Sequence, residues 1–360
     1  GWERRPIVVW NLGQSCNLAC RHCYSASTRR QAENEMDDRL RRRFIDQLSD
    51  FGIPALLFSG GEPLYQDGVL SLMEYARSRG LRVSVSTNGT LITEKLAGEM
   101  ADLGVAYVGV SIDGLAQTHD AFRGERGAFD RALAGIRHSR AAGVRAGLRC
   151  TVSKRNVGEV SGILDLVEEE EIDRICFYHL VYVGRGSTLI KEDLTHQEKR
   201  ELLDLLVERT VDFHRRGVEK QILTVSNHAD GPYIYRRLRA EEPERAPRAL
   251  GYLRRNGGNS SGVGIAAVGW DGTVYPDQFW RTRPLGNVTE RPFGEIWTDR
   301  DNQLLAALKE KASHVTGRCA GCRYLPLCSG NFRARAEAVY GDDWAPDPAC
   351  YLTDEEIGIP

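Results

Sequence analysis

Residues 7–23 read IVVWNLGQSCNLACRHC, in which four apolar residues are followed at once by a loop that carries three cysteines. The apolar run Ile7–Trp10 consists of β-branched and aromatic residues, which predicts a buried strand. The chain has nine cysteines, and seven of them fall into two tight groups. An odd count with such spacing fits a disulfide framework poorly, so it predicts metal ligands in a reducing compartment, the cytoplasm.

The same unit of strand, turn and amphipathic helix recurs through the first half of the chain. The predicted strands are Ile7–Trp10, Ala55–Phe58, Val83–Ser86, Tyr107–Ile112, Arg145–Thr151 and Ile175–Leu180. The predicted helices between them include Asp67–Arg79, Glu94–Leu103, Phe129–Ala142 and Val157–Glu169. This alternation indicates parallel βαβ units, and six in succession predict an α/β fold with a partial (β/α)6 TIM-type barrel. Catalytic side chains are then expected at the carboxyl ends of the strands.

After a polar helix predicted near Thr195–Arg215 the composition changes. Glycine, asparagine, proline and aromatic residues dominate, with a hairpin expected around Trp270–Gly272 and a helix near Arg300–Lys311. We therefore expect a barrel domain over residues 1–215 and a small C-terminal extension over residues 216–360, which carries the second cysteine group.

The charge balance argues against two classes of partner. The chain has 48 Lys and Arg against 50 Asp and Glu, so it has no basic excess of the kind that binds a phosphate backbone. No apolar run is long enough to span a bilayer. Neither a nucleic acid nor a membrane is expected as a partner.

The first cysteine group is Cys16, Cys20 and Cys23. Thiolates are the usual ligands of a [4Fe–4S] cluster, and three of them can bind three of its four irons. No further cysteine is near in sequence, so one iron would stay open for a chelating small molecule. The alternative from spacing alone is a zinc loop that takes a further ligand, such as His22.

Two motifs together resemble the radical SAM superfamily: Cys16-x3-Cys20-x-His22-Cys23, and Ser59-Gly60-Gly61-Glu62-Pro63 at the end of the second predicted strand. The resemblance implies S-adenosyl-L-methionine as cofactor. It also implies that the first cluster cleaves this cofactor to a 5′-deoxyadenosyl radical, which removes a hydrogen atom from the substrate. Flavodoxin or ferredoxin is the kind of electron donor that such chemistry requires.

Polar segments also end the third and fourth predicted strands, at Ser86–Gly89 and Ser111–Gly114. Glycines allow a ligand to approach the backbone closely, and a carboxylate can accept from an ammonium group. The resemblance implies that the cofactor is held by His22, Gly60, Gly61, Glu62, Asn88, Ser111, Asp113, Arg123 and Leu180.

The second cysteine group is Cys319, Cys322, Cys328 and Cys350, enough thiolates to close a second [4Fe–4S] cluster. It resembles the SPASM/twitch-like auxiliary-cluster extension of radical SAM enzymes, with a four-cysteine zinc site as the alternative. The fuller form of that extension has cysteines where this chain has Asp277 and Phe332. We expect one auxiliary cluster only, and open space for a bulky substrate in place of the other.

Four further stretches resemble the radical SAM enzymes of heme d1 biosynthesis, namely Tyr178–Gly186, Ser226–Tyr233, Asn256–Gly262 and Tyr275–Trp280. The resemblance implies a tetrapyrrole substrate, 12,18-didecarboxysiroheme, which loses two propionate side chains. A related alternative is the oxidative decarboxylation of iron-coproporphyrin III to heme.

A tetrapyrrole with several carboxylates requires cations, flat apolar walls and a ligand for its iron. The candidates for substrate binding are His179, Arg185, His228 and Trp280, with Tyr182, Arg254, Arg255, Phe279 and Arg281 as further candidates. Three other functions remain open: a peptide-modifying radical SAM maturase, a structural zinc protein that uses both cysteine groups, and an electron carrier.

Overall fold

A computed structural model describes residues 2–359, and the strands of this part form a single sheet of ten. They are β1 (Ile7–Asn11), β2 (Leu56–Ser59), β3 (Val83–Thr87), β4 (Tyr107–Ser111), β5 (Ala146–Val152), β6 (Arg174–His179), β7 (Gln221–Val225), β8 (Ile265–Val268), β9 (Thr273–Tyr275) and β10 (Gly286–Asn287). The order is β10-β9-β8-β1-β2-β3-β4-β5-β6-β7. Strands β8 and β1 to β7 pair in parallel, whereas β9 pairs antiparallel with β8 and β10.

Helices connect the parallel strands and cover one face of the sheet. Over the described residues they are α1 (Asp38–Phe51), α2 (Val69–Ser78), α3 (Glu94–Asp102), α4 (Ala116–Arg123), α5 (Ala128–Ala141), α6 (Val160–Glu169), α7 (His196–Arg215), α8 (Asp230–Glu241), α9 (Ala246–Asn256), α10 (Phe293–Trp297), α11 (Gln303–Lys309), α12 (Leu325–Cys328), α13 (Arg333–Tyr340) and α14 (Asp354–Ile357). No helix within residues 2–359 combines the length and hydropathy that crossing a bilayer requires.

The predicted α/β partial barrel is confirmed. All six predicted strands are present, and each end lies within one residue of its predicted position. Local signals fix the helix ends as well: the side chain of Asp37 accepts from Leu40 N at the start of α1, and Gly52 ends this helix in a left-handed conformation.

The two faces of the sheet differ in polarity, and this difference positions the site. On β3, Val83 and Val85 are buried in the main hydrophobic core, whereas Ser84 and Ser86 are only half-buried on the opposite face. Alternate residues of a strand point to opposite faces, so the helices cover an apolar outer face and the inner face of the barrel is polar.

The sheet continues past residue 215 at both edges, which the sequence did not predict. Strand β7 pairs with β6, and β8 pairs with β1 although more than 250 residues separate their sequences. The hairpin expected around Trp270–Gly272 is present between β8 and β9. One sheet therefore runs through both predicted domains, and the division at residue 215 stays a prediction.

The prediction of open space at Asp277 and Phe332 is wrong. Phe332 is 5% exposed and packs with Val181, Trp280 and Leu308. Asp277 is 3% exposed, and its carboxylate accepts from Ser261 Oγ and from the backbone N–H groups of residues 279 and 280. An aromatic ring and a fully hydrogen-bonded carboxylate fill the volume that two cysteine ligands would border.

Because Phe332 is packed on all sides, Phe332→Ala is expected to destabilise the fold by about 3–5 kcal/mol. The measurement is the midpoint of thermal unfolding under anaerobic conditions. Tyr340→Ala is the matched control, since the Tyr340 ring is 57% exposed, and its midpoint should not change. Equal midpoints for wild type and Phe332→Ala would show that this region is not tightly packed.

Candidate active site

One cavity lies at the carboxyl ends of the parallel strands, with about 1010 Å³ of space when its open mouth is included. Most of the residues predicted to hold the first cluster and the cofactor line it. They are Cys16, Cys20, His22, Cys23, Gly60, Gly61, Asn88, Ser111, Asp113, Arg123 and Leu180. The barrel thus brings together residues as far apart in sequence as Cys16 and Leu180.

The cysteine loop follows β1 and presents its three thiols to this cavity. Leu18 N donates to Cys16 Sγ at 3.4 Å, and Arg123 Nη1 donates to Cys20 Sγ at 3.4 Å. Burial raises the pKa of Cys16 to about 12, so this thiol requires a bound cation to become a thiolate. Three buried thiols with N–H donors on two sulfurs fit an iron–sulfur cluster.

Nowhere in residues 2–359 do three or more His, Cys, Asp or Glu side chains converge on the position of a single metal ion. A [4Fe–4S] cluster does not require such convergence, because each thiolate binds a different iron.

The segment after β2 packs its backbone very closely against the loop that carries the first cysteine group. A Cβ atom on Gly61 would lie 2.1 Å from Ser15 O, and one on Gly60 would lie 2.8 Å from Gly13 O. Gly60 also has a φ of 134°, which side-chain-bearing residues rarely adopt. These two positions therefore require glycine, and they bring the segment against the cysteine loop.

Glu62 lies directly behind the lining residues Gly61 and Asn88, and it is 1% exposed. Its carboxylate accepts from Thr87 Oγ1 and Asn88 N, both at 2.7 Å. No Lys, Arg or His of the described chain lies within 4.0 Å of it, and burial raises its pKa to about 7. A buried carboxylate without a cationic partner fits the amino group of S-adenosylmethionine, which can donate N–H hydrogen bonds to it.

Asp113, at the end of β4, contacts the guanidinium of Arg123 and the ring of His22. Arg123 Nη2 lies 2.5 Å from Asp113 Oδ2, and His22 Nε2 lies 3.2 Å from the same oxygen. Burial alone raises the pKa of Asp113, but Arg123 and His22 outweigh burial and hold this pKa below its usual value. Burial lowers the pKa of His22 to about 4, so its ring is neutral at pH 7.

Two of the four residues predicted to bind substrate line the cavity. His179 ends β6, and its Nε2 lies 2.9 Å from Asp230 Oδ2. Arg185 donates from Nε to Cys20 O and from Nη1 to Ser27 O. Its Nη2 is buried and has no hydrogen-bond partner within residues 2–359, so it remains available to a ligand.

The other two, His228 and Trp280, do not line the cavity. Trp280 is fully buried in the cluster around Phe332, and its indole Nε1 donates to Glu337 at 2.8 Å. Of the further candidates, only Phe279 lines the cavity, whereas Tyr182, Arg254, Arg255 and Arg281 lie elsewhere.

Several lining residues were not predicted from the sequence. They are Tyr24, Ser25, Ser59, Ser86, Thr87, Arg149, Thr151, Tyr178 and Gln278. A periodic signal was present for some of them: Arg149, Thr151 and Tyr178 sit at inward-facing positions of predicted strands. Tyr24 directly follows the cysteine motif, and its hydroxyl donates to Asn11 Oδ1 at 2.8 Å.

The second cysteine group surrounds a smaller cavity of about 400 Å³. Cys319, Cys322, Cys328 and Cys350 all line it, together with apolar residues such as Ala229 and Leu325. Burial raises the pKa values of Cys328 and Cys350 to about 12. Four half-buried thiols around an apolar space fit a fully ligated [4Fe–4S] cluster.

A model of the radical SAM superfamily matches residues 10–167, and a model of the SPASM iron–sulfur cluster-binding domain matches residues 261–323. The Fe-coproporphyrin III synthase of Methanosarcina barkeri is 51% identical over 99% of this chain and 90% of its own length. The chain belongs to the radical SAM superfamily. Pre-heme d1 synthase of Dinoroseobacter shibae is 39% identical over 98% of this chain and 88% of that protein.

The AdoMet-dependent heme synthase of Methanosarcina barkeri is 34% identical over 96% of this chain and 95% of its own length. Among solved structures, anSMEcpe with bound AdoMet aligns with a TM-score of 0.75 at 21% identity, over 96% of this chain and 94% of that one. The chain is thus a radical SAM enzyme of the heme-biosynthesis group, with S-adenosylmethionine and two [4Fe–4S] clusters as cofactors.

The assignment of each cysteine group to its own cluster predicts the iron content of two variants. Cys16→Ala and Cys319→Ala should each reduce the iron of the reconstituted protein from about eight to about four atoms per chain. Only Cys319→Ala should still cleave S-adenosylmethionine under reducing conditions. Stoichiometric zinc in wild-type protein that lacks iron–sulfide absorption would contradict both assignments.

The raised pKa of Glu62 predicts a pH-dependent cofactor affinity. Below pH 7 the carboxyl group is mostly protonated and accepts only weakly from the amino group of the cofactor, so the affinity for S-adenosylmethionine should rise about tenfold between about pH 6 and about pH 8. Glu62→Gln should bind the cofactor about 10- to 100-fold more weakly. It should also lack this part of the pH dependence, as measured by anaerobic equilibrium dialysis. Parallel pH curves for the two proteins would contradict the assignment.

Proposed function

We propose that this enzyme acts on 12,18-didecarboxysiroheme and converts it to Fe-coproporphyrin III. The main support is the 51% identity over 99% of the chain to an Fe-coproporphyrin III synthase, against 39% to pre-heme d1 synthase. Fe-coproporphyrin III keeps four propionates and has methyl groups at its other β positions. Formation from this substrate therefore requires the loss of two acetate side chains rather than two propionates.

The cavity has the features that such a substrate requires. Aromatic rings of Tyr24, Tyr178 and Phe279 offer flat walls, and the guanidinium of Arg185 is a cation at the mouth of the barrel. The first cluster and S-adenosylmethionine together supply the radical that removes a hydrogen atom from the substrate. The side chains of the cavity then have to position one ring carbon and exclude water.

His179 is the residue that we propose as ligand of the substrate iron. Its Nε2 is held by Asp230 Oδ2, and Tyr351 donates to Asp230 Oδ1 at 2.8 Å. The hydrogen bond to Asp230 occupies Nε2 and leaves Nδ1 as the ring nitrogen that can bind a metal. His179 lines the cavity. A carboxylate on the far nitrogen is the usual support of a metal-binding histidine, because it fixes the ring and raises its basicity.

His179→Ala should remove the change in the Soret band that accompanies binding of the iron tetrapyrrole to the wild-type protein. Asp230→Asn keeps the imidazole but weakens its support, so it should lower the affinity about 10- to 100-fold and retain the spectral change. Both are measured by anaerobic optical titration with Fe-coproporphyrin III. Identical spectra for wild type and His179→Ala would exclude His179 as the ligand.

The reaction is tested by anaerobic turnover with S-adenosylmethionine, dithionite and didecarboxysiroheme, followed by mass spectrometry. The proposal predicts two successive losses of an acetate-sized group and a final product with the mass of Fe-coproporphyrin III. Loss of two propionates would instead indicate the heme d1 branch. Conversion of added iron-coproporphyrin III with loss of carbon dioxide would indicate the heme synthase branch.

The remaining partners follow from this chemistry. A flavodoxin or ferredoxin is proposed as the electron donor, and the cytoplasm as the location, because both clusters require a reducing environment. All nine cysteines lie within residues 2–359, and none of them forms a disulfide bond, in agreement with such an environment.

A further inference from the structure

Arg149 on β5 extends across the inner face of the barrel into the active-site cavity. Its guanidinium lies against the backbone of the neighbouring strand, where a Cβ atom on Gly109 would be 2.4 Å from Nε and 2.7 Å from Cζ. Gly109 is paired in register with Gly147. A Cβ atom on Gly147 would lie 2.2 Å from the hydroxyl of Tyr107. Two paired glycines therefore leave room inside the barrel for two long polar side chains.

The charge of Arg149 has no acidic partner. Its Nη1 donates to Ser86 Oγ, and no Asp or Glu of residues 2–359 lies within 4.0 Å of its guanidinium nitrogens. After burial, the groups with the largest effect on the pKa of Arg149 are the neutral phenols of Tyr178 and Tyr107. A cation that is withdrawn from solvent without a counter-ion is unfavourable, so an anion from a bound molecule would stabilise it.

The other two arginines of the cavity have protein partners, although Nη2 of Arg185 remains without one in the described part of the chain. Arg123 pairs with Asp113, and Arg185 donates to the backbone oxygens of Cys20 and Ser27. Arg149 is also outside the set of residues expected to hold the cofactor, which includes Arg123, although its Nη1 reaches Ser86 on β3. In the sheet it is in register with Ser111 on β4 and Cys176 on β6, and its side chain lines the cavity together with Tyr178.

We propose that Arg149 binds a carboxylate of the ligand, and that this carboxylate is an acid side chain of the tetrapyrrole. The inference rests on the proposed function, which gives the substrate several such groups. The guanidinium packs close to Gly109 and uses Nη1 for Ser86 Oγ, so its other N–H groups can donate to a carboxylate, which accepts from arginine in bidentate fashion. Binding at Arg149 would fix one acid side chain of the tetrapyrrole relative to the radical. Arg149 thereby determines which substituent of the tetrapyrrole faces the radical.

The test compares Arg149→Met with wild type and with Arg254→Met, a control whose arginine lies on α9 outside the cavity. The probes are Fe-coproporphyrin III, its tetramethyl ester, which has the same ring without charge, and S-adenosylmethionine. Affinities for the porphyrins are measured by anaerobic optical titration, and affinity for the cofactor by equilibrium dialysis. Iron content confirms that each variant holds both clusters.

Arg149→Met should bind the free acid about 10- to 100-fold more weakly and should bind the ester as the wild type does. Arg149→Lys keeps the charge without the bidentate geometry, so its affinity for the acid should lie between the two. The affinity for S-adenosylmethionine should stay within about twofold, and Arg254→Met should resemble wild type throughout.

Three outcomes would overturn the inference. Equal losses for acid and ester would show that Arg149 acts through packing, and a selective loss of cofactor affinity would assign its carboxylate to S-adenosylmethionine. Unchanged affinity of Arg149→Met for all three probes would exclude a carboxylate-binding role for Arg149. If the wild-type protein itself binds neither porphyrin, both the proposed function and this inference fail. If the wild type binds the porphyrins and only the Arg149 result differs from expectation, the inference fails alone.

Discussion

The position of the cysteine loop depends on its contact with the end of helix α4. The backbone N–H groups of Ala19 and Arg21 donate to the oxygens of Arg123 and Phe122, so two main-chain bonds tie the loop to the helix. The side chain of Arg123 then joins Cys20 Sγ to Asp113. Strand β1 sets where the loop begins, and α4 sets where its thiols point. Loss of this contact would separate the first cluster from the cofactor site on β2 to β4.

A second constraint is the polarity of the inner face of the barrel. Helices bury the outer face, and most hydrophobic side chains of the strands pack there. Val9, Leu57 and Ala267 form a small apolar cluster apart from this core, and serines, tyrosines and Arg149 occupy inner positions of β3 to β6. Glycines at paired positions on β4 and β5 create the space that these side chains occupy. The C-terminal extension covers the mouth with Gln278 and Phe279. Radical chemistry benefits from such a site, since enclosure keeps the reactive carbon away from water.

The barrel could be predicted almost completely because each βα unit carries its own local signal. Hydrophobic periodicity placed all six strands, and turn residues at their ends marked most of the ligand-binding segments. Strand β8 was not expected in the same sheet, because its pairing with β1 joins distant segments and no local pattern reports such a pairing. The prediction of open space at Asp277 and Phe332 was wrong for a related reason. The absence of a cysteine from the sequence does not show which side chains pack in its place.

Residue roles in substrate binding were harder to predict than cluster ligands. A thiol at a motif position has few alternative uses, whereas an arginine or tryptophan has many. Trp280 was predicted to bind substrate and lies in a packed cluster, while Arg149 was not predicted although it lines the cavity. The alternation along β5 indicates that Arg149 points inward, but only the three-dimensional contacts show that it lacks an acidic partner among the described residues.

The central claim is that the first cluster has one iron without a protein ligand and that S-adenosylmethionine occupies it. Electron–nuclear double resonance of the reduced wild-type protein tests this directly, with S-adenosylmethionine labelled with ¹⁵N in the amino group and ¹⁷O in the carboxylate. Hyperfine coupling of both labels to a [4Fe–4S] signal is expected, because chelation places these atoms on the open iron. A fully reduced cluster that shows no coupling to either label would contradict the claim.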